Sequence, residues 1–157
     1  MPTLNSPLKN KTSFLASHHI LQMLELLIQD INSTIEIDEY DFSCSGPSHT
    51  VYTIRHIQQK YPEASISMIV GADQLMKFQH WKEYNKIINS VHIIGFNRAN
   101  CDFIPTSGMN ITWIKDFNVD ISSTEIRKKI AKGKHIGNVL TQSVKDYIQE
   151  NNLYGYR

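Results

Sequence analysis

Apolar residues at Ile20, Leu24, Leu27 and Ile28 recur at helical spacing and predict a helix over 16–30. Residues 34–42 alternate instead, with Ile35 and Ile37 and then Tyr40 and Phe42, and predict a strand or two with a bend. Gly46-Pro47-Ser48 is a turn placed to start a helix. Thr50, Ile54, Ile57 and Tyr61 then make a second helical face, closed by Pro62. The short run Met68-Ile69-Val70 stops at Gly71 and fits a buried parallel strand. Residues 72–90 predict a helix broken near Trp81, and residues 91–96 a second buried strand. Residues 97–110, with Pro105 and Gly108, predict a loop, and residues 111–114 a third short strand. A helix is expected from Ser123 until Gly133 stops it, and a last one over 141–151.

Strands therefore alternate with helices, without internal repeats or low-complexity tracts. That order predicts an α/β fold with a doubly wound parallel sheet. No stretch rich in Pro, Gly or Ser divides the chain, so residues 1–157 are expected to form a single domain. Sixteen basic residues balance fifteen acidic ones, for a net charge of +1. This near-neutrality argues against a nucleic-acid or membrane partner and requires any anion site to be a local cluster. Cys44 and Cys101 lie far apart and make neither a disulfide framework nor a zinc pattern, so both are expected to be free thiols. Residues 1–13 carry Pro2 and Pro7 and have neither a charged nor an apolar signal-peptide region. The apolar runs are too short to span a bilayer, and a cytoplasmic protein is expected.

Candidate chemistry concentrates in Ile121-Ser122-Ser123-Thr124-Glu125-Ile126-Arg127. Ser122 followed by Glu125 is the pattern of a capping box, which fixes a helix start. Such a start offers backbone N–H groups and the positive end of the helix dipole. Ser123 and Thr124 add hydroxyls, and Arg127 sits one turn up on the same face as Ser123. Its planar fork suits two phosphate oxygens. A well-capped basic surface helix, with Lys128 and Lys129 in solvent, accounts for the same residues. Gly71-Ala72-Asp73 lies at the carboxyl end of a predicted strand, where open α/β sheets bind ligands. Gly71 admits close approach of a ligand and Asp73 suits ribose hydroxyls; an ordinary helix start with an acidic first turn is the alternative. Trp81 is either a stacking surface for a planar ring or core. Pro47-Ser48-His49-Thr50 reads as a helix start, with His49 exposed. His18, His19, His56, His80, His92 and His135 show no metal-ligand spacing, and no protein metal site is expected.

Together and in order, these segments resemble the bacterial nicotinate-nucleotide adenylyltransferase family. Pro2-Thr3 with Pro7 and Lys9 resembles its Pro-Thr-x-x-x-Pro-His-Lys segment, with Leu8 in place of the histidine. Pro47-Ser48-His49-Thr50 resembles its Ser-Tyr-Thr segment, and Gly71-Ala72-Asp73 through Trp81 its Gly-x-Asp…Trp segment. Ile121 to Arg127 matches its Ile-Ser-Ser-Thr-x-Ile-Arg signature. Val144, Tyr147-Ile148, Asn151 and Leu153-Tyr154 resemble its closing helix.

The resemblance implies a Rossmann-like sheet of the nucleotidyltransferase type and transfer of an adenylyl group from ATP to nicotinate mononucleotide, with Mg²⁺ assisting. It implies that Ser122, Ser123, Thr124 and Arg127 hold ATP phosphates and that Gly71 and Asp73 line the nucleotide site, all facing one cleft. Thr50 and Trp81 would hold the nicotinate ring, and Lys9 would lie near a substrate phosphate. A homo-oligomer is compatible with it. The family begins with a strand, a Gly-x-Phe-Asp-Pro-x-His-x-Gly-His turn, a helix and a second strand. This sequence starts after them, so the expectation is a sheet without its first two strands; the catalytic residues are left unassigned, and either the true start, with the family's histidine pair, lies upstream or the chain is a degenerate product. In such a sheet residues 34–42 lie about 14 Å from residues 66–70, share no ladder with them, and leave an exposed apolar edge that favours aggregation. Two other readings stand beside this one: a non-catalytic nucleotide-binding remnant, and a related adenylyltransferase acting on an acceptor such as phosphopantetheine. Trp81 favours a flat pyridine ring over a flexible pantetheine arm.

Overall fold

The structure is a computed structural model that describes residues 1–3, 15–31, 34–44, 46–97, 105, 108–115 and 121–156. The readings made on Pro7, Leu8, Lys9 and Cys101 lie outside the described residues. In chain order the first elements are α1 (Ser17–Ile31), α2 (Tyr40–Ser43), α3 (Thr50–Lys60) and β1 (Ser67–Gly71). Next come α4 (Ala72–Leu75), a 3₁₀ turn (Phe78–His80), α5 (Tyr84–Ser90), β2 (His92–Phe96) and β3 (Ile111–Ile114). The chain closes with α6 (Ser123–Ala131), α7 (Gln142–Glu150) and a 3₁₀ turn (Leu153–Gly155).

Packing divides the chain into two compact units that are interleaved in sequence. Residues 44–115 supply the described part of one, and residues 15–43 and 121–156 most of the other. This interleaving explains why no linker composition betrays the division: the chain leaves the helical unit at residue 43 and re-enters it at residue 121.

The first of these units holds a three-stranded parallel sheet in the order β1-β2-β3. Alternation along the strands sends Val70 and Ile93 to one face, where they are 5% and 0% exposed. There they pack with Val51 and Ile54 of α3, Leu75 of α4, Phe78 of the 3₁₀ turn and Ile87 of α5. Each such fully buried side chain contributes roughly 1.5–3 kcal/mol. Ile69 lies on the other face and is 71% exposed, so β1 is buried on one face and not on both, as the apolar run alone suggested. The helix expected over 72–90 is divided as predicted near Trp81, whose backbone is extended (φ −72°, ψ 143°). Glu83, in the left-handed region at φ 54°, starts α5 and accepts hydrogen bonds from Arg55 Nη2, at 2.9 Å, and from Lys86 Nζ.

The strand expected over 34–42 does not form. Residues 34–39 are irregular and Tyr40–Ser43 is α2. Asp38 Oδ1 accepts the Tyr40 N–H at 3.0 Å, and Ser43 Oγ donates to the Tyr40 carbonyl at 2.8 Å. These local bonds offer the backbone an alternative to a ladder, and the apolar alternation is overridden. Residues 34–42 accordingly do not pair with β1, whose described partner is β2.

In the helical unit Ile130 of α6, Val144 and Ile148 of α7, and Leu153 form a second core. Met23 and Leu26 of α1 pack on it beside the expected Leu27. Two polar contacts tie α1 to α7: Ser143 Oγ donates to Asp30 Oδ2 at 2.5 Å, and His19 Nδ1 lies 2.8 Å from the Tyr147 hydroxyl. Among the described residues no helix is long and apolar enough to cross a membrane.

Candidate active site

Helix α6 starts where the Ser-x-x-Glu pattern puts it. Ser122 is the N-cap, with extended backbone (φ −115°, ψ 125°), and its carbonyl accepts the first helical bond, from Ile126 N–H, at 3.0 Å. The capping box itself is not formed, because the Ser122 side chain makes no cap hydrogen bond. The extended backbone and the carbonyl suffice to begin the helix, and the side chain is left out of it. The first-turn N–H groups are therefore not engaged by the cap side chain. Ser123, Thr124 and Arg127 are exposed around them, and Lys128 and Lys129 lie in the last turn, where the dipole favours cations.

Tyr154 stands beside this helix and was not singled out by residue chemistry in the sequence. Burial pushes its phenol above the usual tyrosine range, and the Arg127 guanidinium works against that rise. Its place in the expected closing helix also changes: α7 ends at Glu150, and Leu153–Gly155 is a 3₁₀ turn. Asn152 and Gly155, residue types that accept left-handed backbone, were the sequence signals for this turn.

In the sheet unit, Gly71 ends β1 and is the N-cap of α4, with φ −74° and ψ 153°. Any residue adopts that conformation, so a glycine here matters for space and not for backbone freedom. Ala72 behind it is 0% exposed, whereas Asp73 is exposed in the first turn of α4. Gly71 and Asp73 thus sit together at the carboxyl end of a strand, as expected. Thr50 opens α3 after His49 (φ −96°, ψ 123°). His49 is half-buried, not exposed, and its ring meets Tyr52 edge-on at 6.0 Å. Trp81 is half-buried and packs against the core, its ring T-shaped on Phe78 at 4.8 Å. Trp81 Nε1 is nevertheless buried without a hydrogen-bond partner among the described residues. An unmet donor of this kind costs about 1–3 kcal/mol.

The structure therefore keeps Ser122, Ser123, Thr124 and Arg127 together on α6, in the helical unit. Thr50, Gly71, Asp73 and Trp81 belong to the sheet unit, and Lys9 lies outside the described residues. Among the described residues no three His, Cys, Asp or Glu side chains converge as metal ligands. His92 is held structurally, with Nδ1 2.7 Å from Asn110 Oδ1 and Nε2 2.9 Å from Thr112 Oγ1.

The sequence model of the cytidylyltransferase-like family matches residues 1–129. The probable nicotinate-nucleotide adenylyltransferase of Prosthecochloris aestuarii is 32% identical over 167 residues, which cover 98% of this chain and 81% of that protein. Its counterpart in Flavobacterium psychrophilum is 34% identical over 155 residues, covering 97% and 80%. Among solved structures, the Plasmodium falciparum nicotinic acid mononucleotide adenylyltransferase complexed with NaAD is similar with a TM-score of 0.70 and 20% identity, over 95% of this chain and 79% of that one. That likeness shows the nucleotidyltransferase type of α/β fold. The chain belongs to the cytidylyltransferase-like family and, within it, to the nicotinate-nucleotide adenylyltransferases.

Proposed function

We propose that this protein transfers the adenylyl group of ATP to nicotinate mononucleotide in NAD biosynthesis. The observation that carries the reading is the Ile121–Arg127 signature seated at a helix start, in a chain whose relatives bear that name. A phosphate oxygen of nicotinate mononucleotide attacks the α-phosphorus of ATP. The new P–O bond forms as the bond from that phosphorus to the bridging oxygen breaks, and pyrophosphate leaves with the electron pair. Such a reaction needs positioning and charge neutralisation more than a covalent nucleophile.

Ser122, Ser123 and Thr124 bind ATP phosphates with first-turn N–H groups and hydroxyls, and Arg127 takes two oxygens with its fork. Gly71 and Asp73 line the nucleotide site. Thr50 and Trp81 hold the nicotinate ring. Lys9 acts on a substrate phosphate. Mg²⁺, bound together with ATP, would supply charge neutralisation on the triphosphate. On this reading the protein acts in the cytoplasm.

Calorimetric titration with each substrate tests the assignment of residues. Binding of both ATP and nicotinate mononucleotide is expected, with Ser123→Ala and Thr124→Ala weakening ATP alone. Equal losses for both ligands would contradict it.

A further inference from the structure

We propose that Glu83 is a positioning residue for the pyridine-nucleotide site: gripped by Arg55 of α3, it fixes where Trp81 stands relative to Thr50. This rests on the reading of Thr50 and Trp81 as the residues that hold the nicotinate ring. All of these residues belong to the sheet unit. Thr50 is the first residue of α3, and Tyr52 and Arg55 follow it on that helix. Three residues apart, Tyr52 and Arg55 are neighbours on the helix surface. Each meets one of the two residues that come after Trp81. Lys82 Nζ lies 4.8 Å from the centroid of the Tyr52 ring, within the range of a cation–π contact. Arg55 Nη2 donates to Glu83 Oε2 at 2.9 Å, and the Arg55 guanidinium lies 5.6 Å from the centroid of the same Tyr52 ring. The helix that begins with Thr50 therefore clasps the segment that begins with Trp81 at two successive residues.

Glu83 is where that segment bends. Its backbone is left-handed (φ 54°, ψ 40°), a region in which a glutamate is strained. Such strain persists only where the surroundings over-determine it, and it gathers at ligand clamps. Here the side chain is held by Arg55 and by Lys86 of α5, and the carbonyl accepts the Lys86 N–H at 2.8 Å and the Ile87 N–H at 3.2 Å. The Tyr84 N–H donates to the Trp81 carbonyl at 3.1 Å and closes the turn. On its inner side Phe78 meets the rings of Trp81 and Tyr84 edge-on, at 4.8 and 5.2 Å. The link to α3 comes from the outer side, through Lys82 and Glu83. An ion pair whose side chains are 45% and 26% exposed contributes little to stability. A turn serving only to start α5 would be made more easily by glycine, which adopts this backbone without strain. One residue separates the bend from Trp81, so slack at Glu83 shifts the indole against Thr50, and a binding pair held loosely loses its alignment with the ligand.

The test is calorimetric titration with nicotinate mononucleotide and, separately, ATP, on the wild type, Glu83→Gly, Arg55→Met, the Arg55→Met/Glu83→Gly double variant, Thr50→Val and Trp81→Phe. Glycine fits the left-handed backbone and methionine keeps part of the arginine stem, so neither change adds strain, and urea unfolding of each variant confirms that it is folded. Glu83→Gly and Arg55→Met are each expected to weaken nicotinate mononucleotide binding about fivefold, a coupling typical of residues in contact. ATP binding stays the same, and the double variant loses no more than either single one. Unchanged affinity for nicotinate mononucleotide in both single variants would overturn the proposal. So would equal losses for the two ligands, or losses that simply add in the double variant. In parallel, the Trp81 indole N–H signal in ¹⁵N NMR spectra of the ligand-free protein, assigned with Trp81→Phe, is expected to move in Glu83→Gly and in Arg55→Met. An unmoved signal would also overturn the proposal, without touching the assignment of Thr50 and Trp81. Unchanged affinity for nicotinate mononucleotide in both Thr50→Val and Trp81→Phe, with the indole signal moved in Glu83→Gly, would instead overturn the nicotinate-site reading and the role of Glu83 in it together.

Discussion

Gly95 of β2 is the register partner of Trp113 of β3, and a Cβ placed on Gly95 would lie 2.6 Å from Trp113 Cε3 and 3.0 Å from Leu75 Cδ1. The missing side chain is what lets the indole lie across the neighbouring strand. Gly95→Ala should therefore destabilise the protein by about 1–3 kcal/mol, the usual range for overpacking a core. Urea denaturation reads this as a lower midpoint with an unchanged slope. A midpoint equal to wild type would mean that the indole moves aside freely.

The link between α1 and α7 makes stability depend on acid. Hydrogen bonds from Ser143 and Thr141 hold the Asp30 carboxyl below its ordinary value of 3.8. Below that value the unfolded chain binds the proton more readily than the folded one. The contribution is fully present above pH 3.8 and is lost as pH falls through the depressed folded value. Asp30→Asn should therefore lower the urea midpoint at neutral pH and leave less acid dependence below pH 4. Parallel midpoint curves for the two proteins down to pH 2 would contradict this.

Arg127→Ala should mainly weaken the use of ATP. A charge-assisted contact to phosphate contributes about 2 kcal/mol, or roughly 30-fold in kcat/KM for ATP. Steady-state kinetics on both substrates checks the direction. A value for ATP equal to that of the wild type would remove α6 from the phosphate site.

Trp81 has two roles to separate, because it packs on Phe78 and carries a buried donor. Trp81→Phe retains an aromatic ring for the core and removes the Nε1–H. Stability should change by less than about 1.5 kcal/mol, because the packing lost with the smaller ring is offset by removal of a buried, unmet donor. Nicotinate mononucleotide should bind more weakly while ATP is little changed. Calorimetry with each ligand decides; equal losses for both would make Trp81 a core residue only.

The strands and helices were legible where one period dominated. Met68-Ile69-Val70 ending at Gly71, and Ser123 opening α6, fall where pattern and terminator agree. Residues 34–42 misled because alternation at Ile35 and Ile37 competes with Asp38, whose carboxylate captures the Tyr40 N–H. The two units escaped the sequence because each is assembled from segments distant along the chain. The positions of the Asp73 and Arg127 motifs at the starts of α4 and α6 were readable, since local residue types set them; their ligand roles are the proposal made above. The left-handed backbone of Tyr154, between Asn152 and Gly155, was not, because a tyrosine's own residue type gives no sign of a positive φ.

The central claim is the reaction, and product identification tests it most directly. The protein, expressed from its complete reading frame, is incubated with Mg²⁺, ATP and, in separate reactions, nicotinate mononucleotide or phosphopantetheine, and the products are separated and weighed by mass spectrometry. Equal amounts of the deamido-NAD dinucleotide and pyrophosphate from nicotinate mononucleotide, with phosphopantetheine left unchanged, are predicted. Adenylylated phosphopantetheine, or ATP and nicotinate mononucleotide both recovered intact, would contradict the account.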